Sequence, residues 1–261
     1  MVILYPEQIS VIIVSYHTGD VLFESINSVV TQSEVAEVIV VNNGNPPDVE
    51  QKLTELIINN HQVKLLSGHG NIGFGAGCNL GAKFANSKYI LLLNPDCVLV
   101  SAGGLAVILS ALQNNSMAKM AGCLITNYDG SEQSTDRRNL LTLSTLISEI
   151  LPFCRRFLPA LNLGNLLREE GEILNVPAIS GAFMLLENAT YQGLGGIDER
   201  YFLHFEDLDF CMQMHKHGYG IIFVPSCVVR HDLSTSNVTS WFIRKHKIIS
   251  LLRYIWKHIV S

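Results

Sequence analysis

Ile9-Ser10-Val11-Ile12-Ile13-Val14-Ser15 is an apolar, β-branched run whose reading decides the fold. Near-continuous apolar character without alternation predicts a strand buried on both faces, as in a parallel sheet between helix layers. Working outward, Val21 to Val30 has helical periodicity, and Val35 to Val41 reads as the next strand. That strand stops at Asn42-Asn43-Gly44-Asn45-Pro46-Pro47, a strong turn cluster. Val49 to Asn60 predicts a helix, Val63 to Leu66 a strand, Gly77 to Asn86 a helix and Tyr89 to Leu93 a fourth strand. The alternation predicts an α/β architecture, a mostly parallel central sheet with helices on both faces. Ligands of such open sheets bind beyond the carboxyl ends of the strands. Ser15-Tyr16, Asn42-Asn43 and Asn94-Pro95-Asp96 all fall at such ends.

The second half is less regular. Leu140 to Arg168 is leucine-rich and broken by Pro152 and Pro159, which predicts two or three short amphipathic helices. They form either a lid packed on the domain or a segment that touches membrane. With 261 residues the chain has length for one sizeable domain. The hydrophobic fraction of 48% is high, but no window approaches the ~18 uninterrupted apolar residues that a spanning helix needs. The N-terminus lacks a basic region before its apolar run, so no signal peptide is expected. Cys78, Cys97, Cys123, Cys154, Cys211 and Cys227 are scattered without a CxxC pair. That spacing predicts reduced, buried thiols in a cytoplasmic protein and excludes zinc fingers and a disulfide framework.

Charge divides the chain. Residues 233–261 hold Arg244, Lys245, Lys247, Arg253 and Lys257 and no acid; removing these five from the net −5 leaves −10 for residues 1–232. The expected organisation is therefore an acidic main domain over 1–232 and a basic amphipathic tail over 233–261. Nucleic acid is not expected among the partners.

Chemistry concentrates in Tyr201-Phe202-Leu203-His204-Phe205-Glu206-Asp207-Leu208-Asp209-Phe210, where three carboxylates sit among apolar side chains. Like-charge repulsion and desolvation both raise a carboxylate pKa, which makes these residues candidate proton acceptors. The bland alternative is an acidic helix N-terminus, which the helix dipole favours. Asp96 ends an apolar strand, and His231 follows another apolar run, Ile221 to Val224. Acids and a histidine at strand ends suggest a metal and a base at the rim of one sheet. Asn71-Ile72-Gly73-Phe74-Gly75-Ala76-Gly77-Cys78-Asn79-Leu80-Gly81 is glycine-rich and opens a helix, the kind of loop whose amides approach phosphates. A dinucleotide fingerprint fails in both registers: from Gly73 its last position is Cys78, and from Gly75 it is Leu80.

From Ile9 to His231 these segments resemble the inverting family-2 glycosyltransferases with a GT-A fold, particularly the bacterial rhamnosyltransferase-like branch. The resemblance rests on Val11-Ile12-Ile13-Val14-Ser15-Tyr16, Asn71-Ile72-Gly73-Phe74-Gly75 with Asn79, and Leu93-Asn94-Pro95-Asp96. It continues through Ser180-Gly181-Ala182-Phe183-Met184, Gly195-Gly196-Ile197-Asp198-Glu199 with Tyr201-Phe202, and Glu206-Asp207-Leu208-Asp209. It implies that Asp96 binds Mg²⁺ or Mn²⁺ on the diphosphate of a nucleotide sugar, with His231 completing the metal shell. Asp207 is implied as catalytic base, Glu206 as its neighbour positioning the acceptor, and Gly181 and Asp209 as further acceptor contacts. Ser15, Tyr16, Asn42, Asn71, Gly73, Asn79, Asn94 and Pro95 are implied around the nucleotide sugar. Relatives usually carry Asp where Asn42 stands, so its amide offers a different hydrogen-bonding set to the base.

The resulting expectation is metal-dependent transfer of a sugar, rhamnose among the candidates, from a nucleoside-diphosphate donor. The acceptor is a glycan or lipid-linked molecule of cell-surface glycan synthesis. A nucleotidyltransferase and a non-catalytic sugar-nucleotide-binding module are the alternatives. In residues 241–260, Ile248, Leu252, Ile255 and Ile259 form one helical stripe, flanked by Trp241, Ile249 and Trp256 and bordered by basic residues. Such a helix either lies on an anionic membrane, here the cytoplasmic face of the inner membrane, or docks its stripe on the domain.

Overall fold

The computed structural model describes residues 8–164, 171–231 and 240–260. In it Ile9–Ser15 forms strand β1, buried along its whole length. There follow α1 (Val21–Val30), β2 (Val35–Asn42), α2 (Pro47–Asn59), β3 (Val63–Leu66), α3 (Phe74–Ala82) and β4 (Tyr89–Leu93). The middle carries β5 (Cys97–Leu99), α4 (Gly104–Gln113), β6 (Ala118–Thr126), β7 (Arg137–Arg138) and α5 (Leu143–Ile150), then a 3-10 turn, Pro152–Arg156. The remainder comprises β8 (Leu174–Asn175), β9 (Ala178–Ile179), β10 (Phe183–Glu187), α6 (Asn188–Gly193), α7 (Glu206–Lys216), β11 (Gly220–His231) and α8 (Ser240–Ile255). A single π-helical turn, Trp256–Val260, continues α8.

The main sheet runs β3-β2-β1-β4-β10-β6-β11-β5, with β8 beside β11, while β7 and β9 pair separately. Strands β3, β2, β1 and β4 are parallel, as the sequence pattern predicts. The sheet is mixed further on, because β10 inserts antiparallel between β4 and β6. Period-2 alternation divides the strand residues between two cores. Val11, Ile13, Leu91 and Leu93 face α1, α2 and α4 on one side. Ile12, Val14, Ile90 and Leu92 face α3 and α7 on the other, together with Tyr254 of α8.

Helix α3 begins three residues before the expected Gly77 and ends at Ala82 rather than Asn86. It starts earlier because Gly73, with φ +87°, supplies a left-handed turn directly before it. Past Ala82 the helix tightens into three-residue turns, Phe84 N donating to Gly81 O and Ala85 N to Ala82 O. The chain is then drawn to the sheet as Asn86 N donates to Glu37 Oε1 at 2.9 Å and Ser87 N to Ser10 Oγ at 3.2 Å. Its glycines serve packing. A Cβ on Gly77 would lie 2.7 Å from Val14 Cγ1, and one on Gly81 would lie 2.5 Å from Ile12 Cγ2. The spacing that suggested a phosphate cradle thus lets α3 lie directly on β1.

Of the segment Leu140 to Arg168, one helix and the 3-10 turn are seen, and residues 165–168 lie outside the described residues. The tail does not dock through the expected stripe. Helix α8 turns Phe242, His246, Ser250 and Tyr254 inward, a spacing of four that keeps them on one face. Ser250 Oγ donates to Leu203 O at 2.9 Å, and the Phe202 ring meets those of Phe242 and His246. Trp241, Ile248, Leu252, Trp256 and Val260 remain exposed. At the far end Lys257 Nζ reaches Asp198 Oδ2 at 2.8 Å and Asp209 Oδ2 at 2.9 Å, while His258 Nε2 lies 2.7 Å from Asp209 Oδ1.

Candidate active site

Beyond the carboxyl ends of β1 and β4 lies a cleft of about 350 Å³, within the range of small-molecule sites. The fold brings Tyr16, Asn71, Gly73, Asn94, Pro95, Asp96, Gly181, Glu206, Asp207 and His231 to its walls.

Asp96 sits in the turn between β4 and β5. The chain leaves the sheet centre there and crosses to the far edge, where β5 pairs antiparallel with β11 in a register that sets Cys97 opposite His231. That pairing delivers Asp96 to the histidine: His231 Nε2 lies 3.2 Å from Asp96 Oδ1. Gln133 fixes the imidazole. Its Nε2 donates to Asn127 Oδ1 at 2.9 Å and to His231 O at 3.1 Å, which leaves Oε1 facing His231 Nδ1 at 3.2 Å. The carbonyl oxygen accepts, so Nδ1 is the nitrogen that donates to Gln133, and Nε2 is the one turned toward Asp96. A carboxylate beside an imidazole oriented in this way fits a hard divalent cation. The Cys97 thiol is near both ligand atoms. Burial, then the charge of Asp96, push its pKa up, so it stays a thiol and a poor ligand for such an ion.

The Glu206-Asp207 pair opens α7 and is not at a strand end, so the acidic helix N-terminus and the rim of the cleft are one place. The chain enters that turn through His204 and Phe205, with φ +66° and +68°. Two consecutive left-handed non-glycine residues cost of order 1–3 kcal/mol each and are characteristic of functional sites. Asp207 Oδ2 accepts from Gly181 N at 3.0 Å and from Arg138 Nη2 in a very short contact, and Oδ1 accepts from Leu208 N at 2.7 Å. A Cβ on Gly181 would stand 3.1 Å from Asp207 Cβ, so glycine permits this approach. Burial works to raise the Asp207 carboxyl, but Arg138 and the two amides outweigh it and hold the pKa below the ordinary carboxylate range. Burial and then the Asp207 charge push Glu206 the other way, to about 8.

Four expected site residues stand behind the cleft wall. Asn42 is buried, with Oδ1 accepting from Gly44 N, Asn45 N and Asn45 Nδ2 and Nδ2 donating to Glu50, so it holds the turn and offers no free edge to a base. Ser15 is tied to Thr18 and Asn45. Asn79 joins α3 to the Ile197 segment: Oδ1 accepts from Tyr191 Oη at 2.5 Å and Ile197 N at 2.9 Å, and Nδ2 donates to Ile197 O at 2.8 Å. Asp209 is fully buried and faces Tyr201, Gln213, Lys257 and His258, so it anchors the tail rather than meeting an acceptor. Sequence reasoning assigned no role to Thr18, Asn43, His204 and Phe242, which line the walls, or to Arg138 and Gln133 behind them, although Asn43 and His204 fall within stretches it singled out. Asn43 carries the clearest signal, as the second polar residue at the end of β2; it donates to Gly73 O at 3.0 Å.

Residues 10–165 match the model of the Glycosyl transferase family 2. The N-acetylglucosaminyl-diphospho-decaprenol L-rhamnosyltransferase of Mycobacterium tuberculosis is 28% identical over 240 residues, 87% of this chain and 76% of the relative. Rhamnosyltransferase WbbL of Escherichia coli K12 is 25% identical over 196 residues, 71% of each. Among solved structures, GalNAc-T7 with UDP, GalNAc and Mn²⁺ superposes with a TM-score of 0.70 at 16% identity, over 95% of this chain and 47% of that one. Mannosyltransferase PcManGT from Pyrobaculum calidifontis with GDP-Man and Mn²⁺ gives 0.65 at 13% identity, over 97% of this chain and 65% of that one. The chain therefore spans under two thirds of each of these structures, and the likeness establishes the GT-A fold. With more than half of its length matched by the family model, the chain belongs to glycosyltransferase family 2.

Proposed function

We propose that this glycosyltransferase performs metal-dependent, inverting transfer from a nucleoside-diphosphate sugar, with rhamnose the leading candidate, to a lipid-linked or glycan acceptor. The observation that carries the reading is the meeting of the Asp96–His231 pair and the Glu206-Asp207 pair on the walls of one cleft. Asp96 and His231 would hold Mg²⁺ or Mn²⁺, which when bound neutralises charge developing on the departing diphosphate. Asp207 accepts the proton of the acceptor hydroxyl as that oxygen attacks the anomeric carbon and the bond to the diphosphate oxygen breaks. Oδ1 of Asp207 accepts one bond, from Leu208, and so retains a lone pair for that proton. Glu206, protonated at neutral pH, donates a hydrogen bond at the acceptor side.

The names of two relatives support rhamnose, and one of them names a diphospho-decaprenol-linked acceptor. No helix among the described residues is long and apolar enough to cross a membrane. The exposed stripe of α8 supports peripheral contact with the cytoplasmic face of an anionic membrane, where a lipid-linked acceptor resides. Nucleoside-diphosphate release across a panel of UDP-, GDP- and dTDP-sugars, with Mn²⁺ or EDTA, tests the reading. Metal-dependent release that Asp207→Asn lowers by about 10²–10⁴-fold, with an anomerically inverted product, is the expected result. Equal release in EDTA, or a retained configuration, overturns it.

A further inference from the structure

Among the described residues, Arg138 is the cation that the fold plants directly on the proposed base, and its setting is built rather than incidental. Arg138 lies in the two-residue strand β7, opposite Ala178 in β9, two residues before Ser180 and Gly181 of the cleft wall. The preceding residue, Arg137, is wholly buried: Nη1 donates to both Asp136 oxygens at 3.0 Å, Nη2 donates to Gly164 O at 2.8 Å, and the guanidinium packs over the Phe223 ring. That strut ties β7 to Asp136, to the backbone at Gly164 and to Phe223, and Arg138 projects from this anchored strand. Its Nη2 donates to Ile179 O at 3.0 Å and also to Asp207 Oδ2. One guanidinium nitrogen thus joins the backbone beside Gly181 to the first turn of α7.

We propose that Arg138 is a positioning residue for sugar transfer, clamping the Asp207 carboxylate against the Gly181 amide and balancing the charge of the Glu206-Asp207 pair. The inference rests on Asp207 being the base. Two adjacent, largely buried carboxylates on a cleft wall do not readily both ionise without a nearby cation, because like charges and desolvation act in the same direction. Among the described residues, the other titratable groups that interact with Asp207 do not offset its charge: Glu206 and Cys211 lie on its own helix, His204 on the preceding loop and Tyr254 on α8. Burial, then Lys247, lower the His204 pKa, which keeps that imidazole neutral near pH 7. Arg138 also selects geometry, since its Nη2 engages Oδ2 together with the Gly181 amide and leaves Oδ1 with the Leu208 amide as its hydrogen-bond donor.

The test compares Arg138→Met, Asp207→Asn and the double variant in the nucleoside-diphosphate release assay, with thermal melts and donor KM alongside. Arg138→Met is expected to lower kcat by about 10–100-fold with donor KM within about twofold. Its acid limb of kcat/KM should move up by about one pH unit or more, since the cation that favours the ionised form is gone. Once Asp207 is an amide there is nothing left to position, so the double variant should be no slower than Asp207→Asn alone. If Arg138→Met melts below the assay temperature, Arg138→Lys and Arg138→Gln make the same comparison: Lys keeps the limb in place and Gln moves it. A limb that stays put, or losses that multiply in the double variant, would reduce Arg138 to a strut and overturn the proposal. Near wild-type turnover in Asp207→Asn would instead remove the base assignment itself, so the two failures are distinct.

Discussion

His231 Nε2 faces Asp96 Oδ1 at 3.2 Å, joining the end of β11 to the turn that follows β4. Neither strand neighbours the other in the sheet, and the short edge strand β5 makes the connection. Gln133 then decides which imidazole nitrogen looks into the cleft. Partners of metal-bound histidines commonly contribute 10–100-fold to metal affinity. Gln133→Met should therefore weaken Mn²⁺ binding by about that factor, and Asp96→Ala should weaken it more. Titration followed by Mn²⁺ electron paramagnetic resonance reads this without turnover. Unchanged affinity in Gln133→Met would mean the imidazole needs no such support.

Glu206 makes folding stability depend on pH. Its folded pKa, about 8, lies above the ordinary carboxylate value, so the ionised form is penalised in the native state. An acid shifted this way contributes stability that is complete below its unfolded pKa and is lost as pH rises toward the folded one. Denaturant unfolding should show stability falling between about pH 4.5 and 8, and Glu206→Gln should flatten that slope. The same slope in both proteins would assign the dependence to another group.

Close packing of α3 on β1 predicts the outcome of Gly77→Ala. Alanine favours a helix interior over glycine by up to about 1 kcal/mol. The added Cβ, however, would meet a buried Val14 methyl at 2.7 Å, inside the contact distance. Overpacking of this kind costs about 1–3 kcal/mol, so the steric term wins. A lower melting temperature is expected, and a higher one would show that α3 can lift off the sheet cheaply.

The outer face of α8 combines exposed Trp241, Ile248, Leu252 and Trp256 with exposed Arg244, Lys245 and Lys247. Basic residues near an anionic surface contribute about 1 kcal/mol each, so roughly 3 kcal/mol from these three at low salt. The protein should float with phosphatidylglycerol vesicles at low salt and less at high salt. Ile248→Glu with Leu252→Glu should abolish flotation without lowering the melting temperature, since neither side chain is in the core. Equal flotation of that variant would move the contact elsewhere.

Strands β1 to β4 were legible because each is an apolar run closed by turn residues, and local chemistry fixes both properties. The antiparallel entry of β10 was not, since Phe183-Met184-Leu185-Leu186 is buried on both faces whichever way the strand runs. Within the site, residues at chain turns such as Asn94-Pro95-Asp96 could be placed from sequence. Asn42, Asn79 and Asp209 could not, because a polar residue close to a cleft can equally well complete an internal hydrogen-bond network. Which one it does depends on partners far along the chain, such as Tyr191 for Asn79 and His258 for Asp209. Arg138 and Gln133 act through residues remote in sequence and had no local signature at all.

The anchor of Asp209 by Lys257 and His258 also imposes an order on synthesis. Helix α7, with the proposed base in its first turn, leaves the ribosome well before the two side chains that neutralise its buried acid. Until residues 257 and 258 emerge, Asp209 has Tyr201 and Gln213 as hydrogen-bond donors but lacks its two cationic-type partners from the tail, and the wall supplied by Phe242 is missing. Domains begin to fold from the N-terminal side as they are made, and long-range closures come last. Chains that stop before residue 257 are accordingly expected to lose transferase activity together with these contacts, which nucleoside-diphosphate release from a truncation series would read.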